Sequence, residues 1–87
     1  MSITVELTYE MSKALGAERF ELDDARTVAD VVRHTRARFE ADEESFEKLT
    51  RVAAVAINGV LVNYRKGMKT QVADGDTVTF VKAASGG

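Results

Sequence analysis

The chain contains no cysteine and no proline, and its single histidine is His34. Without cysteine there is no disulfide framework, no thiolate metal site and no Cys nucleophile. His34 falls in a stretch of helical period among Arg33, Arg36 and Arg38. Cationic neighbours disfavour a protonated imidazole, and no carboxylate is placed to orient the ring. A Ser-His-Asp site would need a serine brought to His34, and the pattern brings none, so this residue reads as part of a solvated helix face. Apolar runs are short, none approaching the roughly 20 residues of a membrane helix, and no membrane partner is expected. The opening Met1-Ser2-Ile3-Thr4 enters an alternating pattern directly, where a signal peptide would show a basic stretch and then an apolar run; a cytoplasmic protein is the expectation. A basic excess is also missing: 12 Lys and Arg against 14 Asp and Glu leave a net charge of -2, which gives no electrostatic case for nucleic acid.

Two charged stretches have ordinary explanations. The run Glu40, Asp42, Glu43, Glu44 and Glu47 lacks the Gly-punctuated alternation of a calcium loop and reads as a solvated face, so no metal site is expected. Arg65, Lys66 and Lys69 admit contact with an acidic partner, but a charged hairpin edge is also the usual guard against edge-to-edge pairing, and that reading is preferred.

What is present is one small globular domain, 45% hydrophobic and 30% charged over 87 residues, enough for a single modest core. Ile3, Val5, Leu7 and Tyr9 alternate with polar residues at the period of a half-buried strand. Met11 to Ala17 reads as a loop, and Phe20 and Leu22 begin a second strand that forms a hairpin with the first. The period then changes: Val28, Val31, Val32, Thr35 and Phe39 share one helical face, with Thr27 as N-cap and Asp30 in the first turn. This helix is predicted to run to about Glu40. Phe46 and Leu49 suggest a short helical turn. Val52 to Ile57 is a continuous apolar run, expected of a strand buried on both faces or lying in mid-sheet. Asn58-Gly59 favours a tight hairpin turn into a strand from Val60 to Tyr64, and Val78 and Phe80 alternate with Thr77 and Thr79 in the last strand.

The predicted order is β-β-α-β-β-β, an α+β fold in which one main helix covers one face of a mixed sheet of four to five strands. Its core is expected to join Val5, Leu7, Phe20, Val32, Phe39, Ile57 and Phe80. The domain spans residues 1–81. Residues 82–87, Lys82-Ala83-Ala84-Ser85-Gly86-Gly87, lack a large anchor and read as a projecting tail.

That tail holds the one candidate reactive group. With glycine near 7% of residues, a pair in one fixed place arises by chance in about one chain in two hundred, and this pair ends the chain. A terminal carboxylate is a poor electrophile until it is activated, for example as an acyl-adenylate. Glycine suits that use because a backbone without Cβ passes a narrow channel and reaches φ values closed to other residues. Five extended residues span roughly 17 Å at about 3.3 Å each, enough to enter another protein's active site.

Here the sequence resembles the MoaD/ThiS family of sulfur carriers, ubiquitin-like β-grasp proteins that include the small subunit of molybdopterin synthase. The resemblance is carried by Ala73-Asp74-Gly75-Asp76-Thr77-Val78-Thr79-Phe80 with Ser85-Gly86-Gly87, and by Val55-Ala56-Ile57-Asn58-Gly59-Val60-Leu61-Val62. Ala14-Leu15-Gly16-Ala17 leading into Phe20-Glu21-Leu22 is similar to the family's first hairpin. The resemblance implies that Gly87 is adenylated by an E1-like adenylyltransferase that consumes ATP, no cofactor being bound by the chain itself. A sulfur donor of desulfurase or rhodanese type then gives a C-terminal thiocarboxylate. Such a chain is not catalytic alone and can form the small subunit of a synthase with a larger partner, molybdopterin synthesis being the first acceptor pathway to consider. Gly87 would be the acyl and sulfur carrier and Gly86 the residue of channel entry. Apart from the resemblance, the sheet face away from the helix is expected to dock the activating partner through Thr79 and Val81, with Lys82 beside the tail and Ser85 within it, because an open antiparallel face can stay solvated until bound. The chain departs from many molybdopterin-synthase small subunits, which carry a proline pair where Val81-Lys82-Ala83-Ala84 stands here; a tail without proline is less stiff. Two other readings stay open, a ubiquitin-like tag joined through Gly87 to lysines and a β-grasp interaction module whose terminal glycines are incidental. Adding one residue after Gly87 separates the last from the others.

Overall fold

The computed structural model describes residues 2–51, 53–62 and 67–82. They form a five-stranded mixed sheet of order β2-β1-β5-β3-β4. Its strands are β1 (Ile3–Glu6), β2 (Arg19–Leu22), β3 (Ala53–Ile57), β4 (Val60–Leu61) and β5 (Thr77–Lys82). β1 and β2 form the expected antiparallel hairpin, and the last strand enters between β1 and β3, parallel to one and antiparallel to the other. The predicted strand succession and main helix are therefore present, as a β-grasp arrangement.

The main helix, α2 (Val28–Arg38), starts where the sequence places its cap. The Asp30 N–H donates to Thr27 Oγ1 at 3.2 Å, and Asp30 Oδ2 accepts from the Thr27 and Arg26 N–H groups at 3.3 and 3.1 Å, so the first turn has its donors satisfied. Those hydrogen bonds, the Arg26 N–H foremost, with the Arg33 charge, hold the Asp30 carboxyl below the ordinary aspartate range. Val28, Val31 and Thr35 recur at helical spacing and are buried. Thr35 satisfies its own hydroxyl by donating to the Val31 carbonyl at 2.7 Å.

Two helices were not legible at full length. Tyr9–Leu15 is a helix, α1, where the alternation suggests strand and then loop. Thr8 caps it by accepting from the Met11 N–H at 3.0 Å, and Gly16 closes it at φ 83°, a left-handed angle that glycine adopts without a Cβ penalty. Met11 is fully buried and Leu15 packs against the core. The turn anchored by Phe46 and Leu49 is a nine-residue helix, α3 (Glu43–Arg51), capped by Asp42, whose Oδ2 accepts from the Ser45 N–H at 3.0 Å. That bond and the Ser45 hydroxyl pull the Asp42 carboxyl below its usual range. The acidic run is thus a helix start, with Glu47 bound to Arg51 at 2.8 Å.

β3 lies in mid-sheet, one of the two placements expected of the apolar run. Only its Ala56 is buried, and Ala53, Val55 and Ile57 on the helix side stay half-buried, so burial on both faces is not reached among the described residues. Asn58 and Gly59 adopt φ of 50° and 84°, the mirror-image turn that matches strand twist. The strand expected from Val60 to Tyr64 is paired at Val60 and Leu61, with the Val62 N–H still donating to the Val55 carbonyl at 3.0 Å; 63–66 fall outside the described residues. Of the expected core, Val5, Phe20 and Phe80 are buried, whereas Leu7, Val32, Phe39 and Ile57 pack half-buried around them. Ile3, Met11, Val31, Phe46, Val72 and Val78 complete the core.

Candidate functional site

β5 is the centre of the sheet, and the tail continues from it. Val78 and Phe80 point into the core at 0% and 2% exposure, while Thr77, Thr79 and Val81 alternate to the open face. The strand is hydrogen-bonded on both sides, Val81 standing opposite Ala54 and Lys82 opposite Ala53. The chain is therefore gripped up to Lys82, which suits a handle for a reactive end. Thr79 and Val81 come together on the open face as expected. Lys82 is exposed and by register belongs to the other face, at the root of the tail. Ser85, Gly86 and Gly87 lie outside the described residues.

The strand register shows what surrounds Thr79. Arg19, Glu6, Thr79, Ala56 and Leu61 form one row across all five strands on the open face. Thr79 Oγ1 donates to Glu6 Oε1 at 2.9 Å, and Arg19 approaches Glu6 at 3.9 Å. Both charged groups are well exposed, so that ion pair contributes little to stability. On the β3–β4 side the row turns apolar: Val81, Ala54 and Ala56 adjoin Leu61, which is 65% exposed. Leu61 thus leaves a large apolar side chain in water on this face, in the row of Thr79. Sequence reasoning missed Glu6, Arg19, Ala54, Ala56 and Leu61 here, although period-two alternation assigns each to a face; only the register joins them into a row.

The other end of β5 is fixed by a clamp. Asn58 donates through Nδ2 to Asp76 Oδ1 at 2.9 Å and accepts the Thr77 N–H on Oδ1 at 2.9 Å. Asp76 Oδ2 accepts the Ala73 N–H at 2.8 Å. These bonds, Ala73 first and then Asn58, hold the Asp76 carboxyl below its ordinary value near 3.8. A carboxyl depressed by folding stabilises the native state above the ordinary pKa, and that contribution is lost as pH falls through the folded pKa. Denaturant midpoints measured from pH 6 down to about pH 2 are expected to fall less steeply for Asp76→Asn than for the wild type, with Asp76→Asn the less stable protein at neutral pH.

His34, half-exposed on α2, has no catalytic geometry around it, and no group of three His, Asp or Glu side chains among the described residues could hold a metal ion. No helix among the described residues is long and apolar enough to cross a membrane.

The model of the ThiS family matches residues 5–87. The chain belongs to that family. The match runs through the open-face strands and the terminal glycines alike. No curated protein matches the sequence. Among solved structures, the chain is similar to the Amycolatopsis orientalis BexX/CysO complex at 26% identity, covering 98% of this chain and 99% of that one with a TM-score of 0.70. It is similar to small archaeal modifier protein 1 from Methanosarcina acetivorans at 24% identity, 99% and 96% coverage and a TM-score of 0.74. A putative molybdopterin converting factor subunit 1 from Pyrococcus furiosus shares 20% identity over 97% and 99% of the two chains, with a TM-score of 0.71; the last two likenesses speak for the fold. All are ubiquitin-like β-grasp proteins, the fold that this ThiS-family chain shares.

Proposed function

We propose that this chain is a sulfur carrier whose reacting group is the carboxylate of Gly87. That carboxylate attacks the α-phosphorus of ATP in an E1-like adenylyltransferase and releases pyrophosphate. The outer sulfur of a persulfide on a desulfurase or rhodanese-type donor then displaces AMP to give an acyl disulfide. A second thiol cleaves its S–S bond, leaving a thiocarboxylate and a disulfide. The thiocarboxylate sulfur passes to an acceptor, molybdopterin synthesis being the first pathway to test. The observation that supports this reading is that the ThiS match extends to residue 87 while β5, paired with β1 over Thr77 to Thr79 and with β3 as far as Lys82, leads to the tail from mid-sheet. The likeness to one member of the BexX/CysO complex supports a carrier that works while held by a larger protein. The open face beside the tail, with Thr79, Val81 and the exposed Leu61, is the surface that would meet the activating enzyme.

Intact-mass measurement on protein isolated from its own cells tests the chemistry. The expected result is a population heavier by the difference of one sulfur over one oxygen, located at Gly87. Chains joined through Gly87 to lysines of other proteins would favour the modifier reading, and an unmodified terminus throughout would favour an interaction module. For the docking face, Val81→Asp is expected to weaken binding to the activating enzyme by tenfold or more, about 1.4 kcal/mol, with an unchanged denaturation midpoint. Unchanged affinity would remove this face from the reading.

A further inference from the structure

The helix side of the molecule carries a second surface. Two hollows of about 370 and 350 Å³ share Glu47, Thr50 and Met68 and so form one groove, running from β3 past Met68 to the cleft between α2 and α3. Val28, Val55, Val32 and Phe46 give it apolar walls. Met68, at the junction of the two hollows, is 49% exposed. Among the described residues, the groove and the open sheet face share Ala54 of β3.

The cations around this groove are not equally engaged. Asp30 holds Arg33 at 2.7 Å, and Glu47 holds Arg51 at 2.8 Å. Arg36 reaches Glu43 only at 3.9 Å, and its Nε, shielded from solvent, donates to no acceptor among the described residues. A guanidinium carries five donors in a planar fork that fits a carboxylate, and a shielded donor without an acceptor is unusual enough in a folded protein to call for a cause. Glu43, whose side chain is 81% exposed, is not fixed there by any closer contact and can turn away into water. The shielded Nε cannot itself meet a docked group, but the Arg36 side chain is 43% exposed and its Nη2 comes no closer than 3.9 Å to Glu43, so the groove joins an apolar lining to a guanidinium whose outer nitrogens a carboxylate can reach.

We propose that this groove docks a peptide segment of a partner protein that seats a large apolar side chain against Met68 and Phe46 and presents an Asp or Glu carboxylate to Arg36. An apolar segment alone would fill the lining and leave Arg36 as it is; a basic one would meet Arg33 and Arg36. The acidic-apolar combination satisfies both features. Because most of the groove is on the helix side, this surface is argued from its own lining and does not depend on the carrier reading.

The test is selection of phage-displayed random peptides on the intact chain, followed by fluorescence anisotropy with the labelled, synthesised winners. Enriched peptides are expected to pair a large apolar residue with an acidic one at fixed spacing. Met68→Asp and Arg36→Glu are each expected to weaken their binding by about tenfold or more, the scale of a lost charge-assisted hydrogen bond, while Val81→Asp leaves it unchanged. Replacing the peptide's acidic residue by Lys should restore binding to Arg36→Glu, a result that a merely misfolded variant cannot give. The proposal is overturned if no peptide is enriched, if the winners lack an acidic residue, if their binding ignores Arg36→Glu, or if sedimentation shows the groove closed by a second copy in a dimer that Met68→Asp dissolves.

Discussion

Deletion of Gly87 is expected to leave the domain as stable as the wild type and to abolish productive activation by the cognate adenylyltransferase. The two halves of that expectation rest on different facts. Stability resides in a core bounded by Ile3 and Phe80, and the last residue paired in the sheet is Lys82. In the proposed function, reactivity resides in the terminal carboxylate, which would form a mixed anhydride with AMP at the end of a fixed reach. Moving it back by one residue withdraws it by about 3.3 Å and presents Gly86 in its place. Misplacing a reacting group by about 1 Å can already cost a hundredfold. Gly86→Ala is the graded companion: the carboxylate keeps its reach, but a Cβ restricts φ where the backbone must thread a narrow channel, and activation should fall by about one to three powers of ten. ATP-pyrophosphate exchange reads both variants, and mass measurement after addition of a sulfur donor reads the product. If the chain lacking Gly87 exchanged pyrophosphate and gained sulfur at the wild-type rate, the terminal-carrier reading would have to give way to the interaction-module one.

The parts of this fold that were legible in the sequence are those with a long or sharp local signal. Eleven residues of α2 behind a Thr27–Asp30 capping box, the Asn58-Gly59 turn and the alternation through Phe80 each specify their structure locally. α1 was missed because its seven residues complete barely two turns, too few for a helical period to outweigh the alternation Ile3 to Tyr9. Its caps, Thr8 and Gly16, were the available signal. The half-burial of Phe39 and Ile57 was not legible for a different reason: periodicity says which residues share a face, but how deeply that face is covered depends on where neighbouring elements end. The same limit applies to the candidate site. Gly86 and Gly87 stand out by position alone, and Thr79 and Val81 follow from alternation. Their union with Glu6, Ala56 and Leu61 needs the non-local insertion of β5 between β1 and β3, which no short-range pattern encodes.

Phe80→Ala is expected to be the most damaging single substitution in the handle, costing about 3–5 kcal/mol, a large part of the roughly 5–15 kcal/mol that holds a domain of this kind. Phe80 is 2% exposed on the central strand, opposite Val55 and two residues from the fully buried Val78. Its ring therefore lies in the core between the central strand and the helix layer, and the space left by its loss is closed off from solvent among other buried side chains. Phe39 looks equivalent in sequence, yet it sits at the end of α2, half-buried, with its ring edge-on to Phe20 at a centroid distance of 5.0 Å. Solvent can fill part of the space it leaves, so Phe39→Ala should cost less than Phe80→Ala. Urea titrations of the two variants beside the wild type give the comparison directly. Equal losses, or a loss below about 1 kcal/mol for Phe80→Ala, would mean that the helix layer does not pack on β5 as described. The same samples separate handle from tail, because Phe80→Ala should reduce pyrophosphate exchange only in proportion to the fraction unfolded, so that at low temperature, where the variant is folded, activation returns to the wild-type rate.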